Sequence, residues 1–155
     1  MTKRIFHNAF VCCLLGGLSM SVNAQRVVFP QQKQAGVALL KATSKKLVLE
    51  NDLLQASWSV KEGQLRFDGC KAMDLMPSAD LFRIRLADCT EFASSDMKIV
   101  SVTPETYAAD PKAAKGSERF DGKGIKAVFM RGDMRVEWRA VLRDGSHYLR
   151  TEMSI

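Results

Sequence analysis

Apolar and polar side chains alternate along most of residues 47–155. Successive side chains of an extended strand point to opposite faces, so this period of two predicts strands with one buried face. The apolar positions that show it most clearly are Leu54, Ala56, Trp58 and Val60, then Phe82, Ile84 and Leu86, then Met134, Val136, Trp138 and Ala140, and finally Leu149, Thr151, Met153 and Ile155. No segment carries the apolar repeat of a long helix.

Turn-forming residues separate these alternating segments. Residues 61–64 and 131–133 each contain a glycine and predict tight turns between two strands. Residues 143–146, Arg-Asp-Gly-Ser, predict the clearest hairpin, because Asp-Gly readily adopts the positive φ angles of a short turn. Roughly eight short strands separated by such turns predict an all-β fold, an antiparallel β-sandwich.

The middle of the chain departs from regular alternation. Residues 99–102 predict a short strand that stops before Pro104, since proline cannot donate a hydrogen bond to a neighbouring strand. Residues 107–124 predict a long polar connection that ends in a Gly-Lys-Gly loop. This tripeptide lacks the strand–loop–helix context of a phosphate-binding loop, so it does not predict a nucleotide site.

The first 24 residues have the three zones of a secretory signal peptide. Lys3 and Arg4 form the positive zone, residues 5–18 are mainly apolar, and a small-residue site ends at Ala24. We expect cleavage between Ala24 and Gln25 and a periplasmic or secreted location. The apolar zone is shorter than the roughly 20 residues that span a membrane, so we expect no membrane anchor after cleavage.

The chain is thereby divided into a signal peptide (1–24), a lead-in segment (25–46) and a sandwich domain (47–155). Within the lead-in, residues 36–42 are compatible with a short strand or with a turn of helix. The last alternating segment runs to Ile155 with no turn or polar tail behind it. We therefore expect the sandwich to be incomplete at its C-terminus.

Charge and cysteine content narrow the classes of function. The net charge is +6, but beyond the signal peptide Lys45 and Lys46 form the one adjacent basic pair, so no nucleic-acid partner is expected. Cys70 and Cys89 remain after cleavage, either as a disulfide of an oxidising compartment or as unpaired residues. His147 is the one remaining histidine, so neither a metal site nor a cofactor is expected.

The aromatic residues divide into core and candidate contact positions. Trp58 and Trp138 lie on apolar faces and are predicted to be core residues. Tyr107 lies in the polar connection and Tyr148 beside a turn, so these two are candidate carbohydrate contacts, with a structural role as the alternative. No pair of carboxylates has a spacing that selects it for glycoside hydrolysis, and no catalytic residue is predicted.

Three segments resemble a known family. They are residues 81–86 with the nearby 93–97, residues 136–142, and residues 143–150 with their Asp-Gly-Ser turn and tyrosine. Together they are similar to the N-terminal sandwich of secreted melibiase-like (α-galactosidase-like) glycoside hydrolases of the Bacteroidetes type. The resemblance implies a galactose-mutarotase-like supersandwich that packs beside a C-terminal catalytic domain and lies where its carbohydrate substrate approaches. It implies no catalytic residue in this chain.

Two other functions are compatible with the same pattern. A stand-alone carbohydrate-binding module would use the exposed tyrosines directly. A periplasmic structural or interaction protein would instead pair through the edges of its sheets, where backbone groups are unpaired. The first predicts affinity for a glycan, and the second predicts a stable oligomer.

Overall fold

The computed structural model describes residues 33–71 and 76–155, and in this part of the chain the fold is all-β with antiparallel pairing, as predicted. The predicted signal peptide and its cleavage site at Ala24 and Gln25 lie outside the described residues. The strands are β1 (Leu39–Ala42), β2 (Lys46–Glu50), β3 (Gln55–Lys61), β4 (Gln64–Cys70), β5 (Arg83–Arg85), β6 (Glu91–Ala93), β7 (Lys98–Tyr107), β8 (Gly122–Arg131), β9 (Met134–Arg143) and β10 (Arg150–Ser154). Short 3₁₀ helices span Ser94–Asp96 and Gly116–Arg119.

Two four-stranded sheets form the sandwich. The first sheet has the order β1-β2-β3-β4 and the second has the order β10-β9-β8-β7, so neighbours in each sheet are also neighbours in sequence. β5 and β6 form a separate hairpin. Apolar side chains from the two four-stranded sheets and from this hairpin meet in a single buried cluster, so the sandwich has one hydrophobic core.

Aromatic contacts hold the centre of this core. Trp58 on β3 and Trp138 on β9 are 1% and 3% exposed, which confirms both as core residues. The Trp58 ring also lies against Phe67, with the two ring centroids 5.6 Å apart. At the other end, Phe82 meets Phe129 edge to face at 5.3 Å. Such edge-to-face pairs match the positive edge of one ring to the negative face of the other.

The prediction for the middle of the chain is wrong. β7 does not stop at Pro104 but runs through it to Tyr107, and Pro104 pairs with Ile125 of β8. β7 is the edge strand of its sheet, where the missing N–H of proline can face away from the neighbouring strand. Gly122 and Gly124 are likewise the start of β8 and not a loop.

The sheet begins within the segment 25–46. Residues 39–42 form strand β1, which resolves the choice between strand and helix, and β1 pairs with β2. Just before it, the Ala38 N–H donates to Asp144 Oδ1 at 2.8 Å, and the Gly145 N–H donates to the Gly36 carbonyl at 2.8 Å. These bonds tie the start of the domain to the turn between β9 and β10.

No helix among the described residues is long and apolar enough to cross a membrane.

Candidate functional site

The outer face of the second sheet carries rows of paired side chains. The residues of a row are cross-strand partners, so they point to the same side of the sheet. Three rows run across this face, namely Tyr107, Gly122 and Arg143; Glu105, Gly124, Val141 and Arg150; and Thr103, Lys126, Arg139 and Glu152. The residues that alternate with these rows on β8 and β9 point to the other side of the sheet, into the core. The outer face therefore carries most of the polar side chains of these strands.

Opposite charges alternate across the middle of this outer face. Lys126 Nζ lies 3.6 Å from Glu105 and 3.8 Å from Glu137, and Arg139 pairs with the same two carboxylates. The side chains of both glutamates are mostly buried, at 23% and 16% exposure. Arg135 also lies 3.5 Å from Glu137, so Glu105 is shared by two cations and Glu137 by three, which fixes the side chains of β7, β8 and β9 relative to one another.

Two glycines of β8 create room for larger side chains above the sheet. A Cβ atom at Gly124 would lie 2.6 Å from Tyr107 Cε2, and one at Gly122 would lie 2.7 Å from Arg143 Cδ. Because these Cβ atoms are absent, the Tyr107 ring and the Arg143 stem lie directly on the backbone of β8. The Arg143 guanidinium carbon then sits 4.9 Å from the centre of the Tyr107 ring, a cation–π contact.

A cavity of about 240 Å³ opens over these side chains. We call it the tyrosine cavity, because Tyr107 and Tyr148, the two candidate contact residues, both line it. Its lining is Tyr107, Ser117, Glu118, Arg139, Val141, Arg143, Ser146, Tyr148, Arg150 and Glu152. Tyr107 forms the floor and is half-buried, whereas Tyr148 follows the Asp-Gly turn and is 53% exposed.

Most polar side chains of the tyrosine cavity are fixed by hydrogen bonds or ion pairs with neighbouring residues. Burial and a hydrogen bond to Glu105 raise the pKa of the Tyr107 hydroxyl, so it stays protonated and donates to that carboxylate. Arg143 donates to the Phe120 carbonyl at 2.7 Å and has no carboxylate partner among the described residues. Arg150 pairs with Glu152 at 2.6 Å. The cavity thus offers a fixed aromatic floor, an exposed ring and several charged donors.

The carboxylates that line the cavity are arranged for binding. Glu118 lies 3.4 Å from Lys115, and Glu152 lies 2.6 Å from Arg150. The cavity therefore presents hydrogen-bond acceptors and donors to a ligand.

Ser146 and His147 do not form a nucleophile and base. The Ser146 hydroxyl donates to the Tyr148 carbonyl at 2.8 Å, and His147 Nε2 lies 3.3 Å from the Lys33 carbonyl. A serine nucleophile requires a hydrogen bond to its histidine. Across residues 33–71 and 76–155, no three histidine, cysteine or acidic side chains cluster to hold a metal ion.

The two cysteines lie in different environments. Cys70 ends β4 inside the core and is 4% exposed, whereas Cys89 is exposed in the turn between β5 and β6. Neither thiol is bonded in the structure, and the Cys70–Cys89 disulfide stays a prediction. Cys70 contributes to packing, and Cys89 has a positive φ of 66° in its turn.

Sequence reasoning missed the arginines of the tyrosine cavity. Arg139 and Arg143 are four residues apart on β9, so both side chains point to the same face of the sheet. Arg150 is the first residue of β10. The sequence did contain a signal for these arginines. Charged and apolar residues alternate in β9, which places every charged side chain of that strand on one face. The Gly-Lys-Gly tripeptide was a second sign, because glycine within a strand often marks a close approach.

Comparisons with known proteins give no family for this chain. No family model matches it, and neither the curated proteins nor the solved structures contain a significant match. The function is therefore inferred from the chemistry of the tyrosine cavity.

Proposed function

We propose that this β-sandwich is a non-catalytic, carbohydrate-contacting domain of a secreted glycoside hydrolase, and that the tyrosine cavity is its sugar site. The observation that carries the proposal is the meeting of Tyr107 and Tyr148 in one cavity. The two residues come from opposite edges of the second sheet, and each was a candidate contact for its own local reason.

The lining of the cavity suits a sugar ring. One face of a pyranose presents C–H groups that pack on an aromatic ring, while its hydroxyls need both donors and acceptors. Tyr148 supplies an exposed ring, and Arg150 and Glu152 supply a donor and an acceptor beside it. A few polar groups around an apolar contact are the usual means by which a small site orients its ligand.

The cavity is also prepared before a ligand arrives. Arg143 packs on Tyr107, and the Tyr107 hydroxyl is committed to Glu105, so neither side chain has to be ordered on binding. Less conformational entropy is then lost in the complex. The carboxylates of the lining are ion-paired, so hydrolysis is assigned to a separate catalytic domain and the sandwich positions the glycan.

Calorimetric titration with melibiose and a glycan array test this proposal. Tyr148→Ala should weaken binding at least tenfold, which corresponds to about 1.4 kcal/mol. Val100→Ala is the control, since Val100 is 60% exposed and does not line the cavity, so the affinity of this variant for the glycan should be unchanged. The purified chain should not hydrolyse an aryl α-galactoside. Absence of binding to every glycan tested, or equal loss in both variants, would overturn the sugar site.

A further inference from the structure

A second opening of about 260 Å³ adjoins the tyrosine cavity. Four residues line both openings, namely Ser117, Arg143, Ser146 and Tyr148. The second opening continues past them to Gly116, Phe120, Asp144 and Gly145, and we call it the Phe120 opening. Both openings lie at the surface beside the exposed ring of Tyr148, so a ligand in one of them lies next to the other.

The Phe120 opening is bordered by two exposed aromatic rings. Across residues 33–71 and 76–155, the aromatic side chains classed as exposed are those of Phe120 and Tyr148, at 54% and 53%. Both of them line this one opening. A single exposed apolar side chain is ordinary, whereas exposed apolar groups that meet at one depression are typical of a binding surface.

Hydrogen bonds fix the position of Phe120 in the absence of a ligand. Phe120 directly follows the short 3₁₀ helix Gly116–Arg119, and its carbonyl accepts from Arg143 Nη1 at 2.7 Å. The next carbonyl, that of Asp121, accepts from the Asp144 N–H at 2.8 Å. These bonds attach the segment to the end of β9 and to the turn that precedes Tyr148. Less ordering is therefore needed when a ligand binds across both openings.

Arg143 supplies hydrogen-bond donors where the two openings meet. A guanidinium has five N–H donors, and within the described part of the chain the hydrogen bond of Arg143 is the one from Nη1 to the Phe120 carbonyl. Ser117 adds a hydroxyl among the residues shared by the two openings. Sugar hydroxyls and ring oxygens need such partners on the side that is not packed on an aromatic ring.

We propose that the sugar site binds two consecutive rings of a glycan, one beside Tyr148 in the tyrosine cavity and the next on Phe120 in the Phe120 opening. This inference rests on the proposed function, because it assigns the length of the glycan that the same site takes. Ligand pockets usually measure about 300–1,000 Å³, and each opening alone is smaller. The ligand class is therefore a disaccharide or a longer chain, and a single sugar fills half of the site.

Melibiose and methyl α-galactoside test this assignment, because they share a galactose ring and melibiose adds a second ring. Both affinities are measured by NMR titration of the ¹⁵N-labelled chain, which also detects weak binding. The parent chain should bind melibiose about tenfold more tightly than methyl α-galactoside, a difference of about 1.4 kcal/mol. In Phe120→Ala this advantage should disappear, while the affinity for methyl α-galactoside stays unchanged.

Three further variants make the test specific. Phe120→Tyr keeps an aromatic ring and should keep the preference for melibiose. Val100→Ala removes an exposed side chain that lines neither opening, so both affinities should equal those of the parent chain. Tyr148→Ala, which tests the proposed function, should instead weaken the binding of both sugars.

The possible failures of the two proposals can be told apart. Equal affinities for the two sugars in the parent chain, an unchanged preference in Phe120→Ala, or an equal loss for both sugars in that variant would each overturn the second ring position. A sugar site at Tyr148 would survive these results. Failure of melibiose to bind would also overturn the two-ring site, and a flat glycan array would overturn the proposed function with it.

The Phe120→Ala variant should remain folded, because Phe120 is 54% exposed and its hydrogen bond to Arg143 uses the backbone carbonyl. Circular dichroism checks this, and the unchanged affinity for methyl α-galactoside is a second check on the same sample.

Discussion

The indole rings of Trp58 and Trp138 meet edge to face, with centroids 6.0 Å apart and planes inclined by 66°. One ring comes from the first sheet and the other from the second, so this contact joins the two layers of the sandwich. Both rings also line an opening of about 280 Å³. The same pair therefore stabilises the core and borders this opening.

Removal of one ring of this pair should destabilise the whole domain. Trp138→Ala deletes a side chain that is 3% exposed and leaves a cavity between the sheets, which costs about 3–5 kcal/mol of unfolding free energy. Urea denaturation followed by circular dichroism measures the loss. Leu39→Ala is the control, because Leu39 is 51% exposed, and its change should stay within about 0.5 kcal/mol. Similar values for the two variants would contradict the role of the ring pair.

Gly124 should not tolerate a methyl group. In Gly124→Ala the new Cβ would lie 2.6 Å from Tyr107 Cε2 and 2.8 Å from the Ala140 carbonyl oxygen, so the Tyr107 ring and the backbone of β9 must shift. We expect a loss of about 1–3 kcal/mol in unfolding free energy. Gly116→Ala is the matched control, because nothing lies within 4 Å of its Cβ position. If the two variants were equally stable, the close approach of Tyr107 to β8 would be refuted.

Acid should remove the contribution of the Ser95–Asp80 hydrogen bond. Hydrogen bonds from the Ser95 hydroxyl, then from the Ser95 backbone N–H and then from Arg83 hold the pKa of Asp80 below its ordinary value of 3.8. A lowered folded-state pKa stabilises the fold above the unfolded pKa, and this stabilisation is lost as pH falls through 3.8 and the lower folded value. Ser95→Ala should therefore be less stable than the parent chain by about 1 kcal/mol at neutral pH.

The pH dependence of the unfolding free energy separates the loss of this hydrogen bond from a general loss of stability in the variant. The difference between the Ser95→Ala variant and the parent chain should shrink as pH falls below 3.8 and through the lowered pKa of Asp80. Urea denaturation at a series of pH values gives the profile. Ser101→Ala, on the outer face of β7, should match the parent chain throughout. A difference that is constant with pH would show that Asp80 is not the partner.

The two described cysteines should react at very different rates. Cys89 is exposed, so iodoacetamide should modify it in the native protein, whereas Cys70 at 4% exposure should react after unfolding. Thiolate chemistry requires access to the sulfur. Peptide mass mapping of native and denatured samples identifies the modified residue. Recovery of a peptide that joins Cys70 to Cys89 would instead establish the disulfide.

Local patterns were enough to predict the fold class and part of the core. Alternation in residues 54–60 and 134–140 identified Trp58 and Trp138 as buried, because the period of a strand is set by its backbone alone. The Asp-Gly sequence likewise marked the turn that carries Tyr148. These features depend on neighbours in sequence, and the three-dimensional arrangement agrees with them.

Edge position and close approach were not predictable in this way. Pro104 lies within β7 because β7 is an edge strand, and strand order is a property of the sheet. Gly124 is needed because Tyr107, from the neighbouring strand, occupies the space of its missing Cβ. Local propensity predicts that a strand ends before Pro104 and that Gly124 lies in a loop, and it contains no information about neighbouring strands.

The sequence by itself determined that the chain forms amphipathic strands and that its tryptophans are buried, since one face of each strand is apolar. The tertiary structure alone decided the candidate sites. Strand order brings Tyr107 and Tyr148 into one cavity, and the stacking of the two sheets leaves the Trp58 N–H buried without a partner. Pairing and packing between distant segments create these relationships, and no local period in the sequence encodes them.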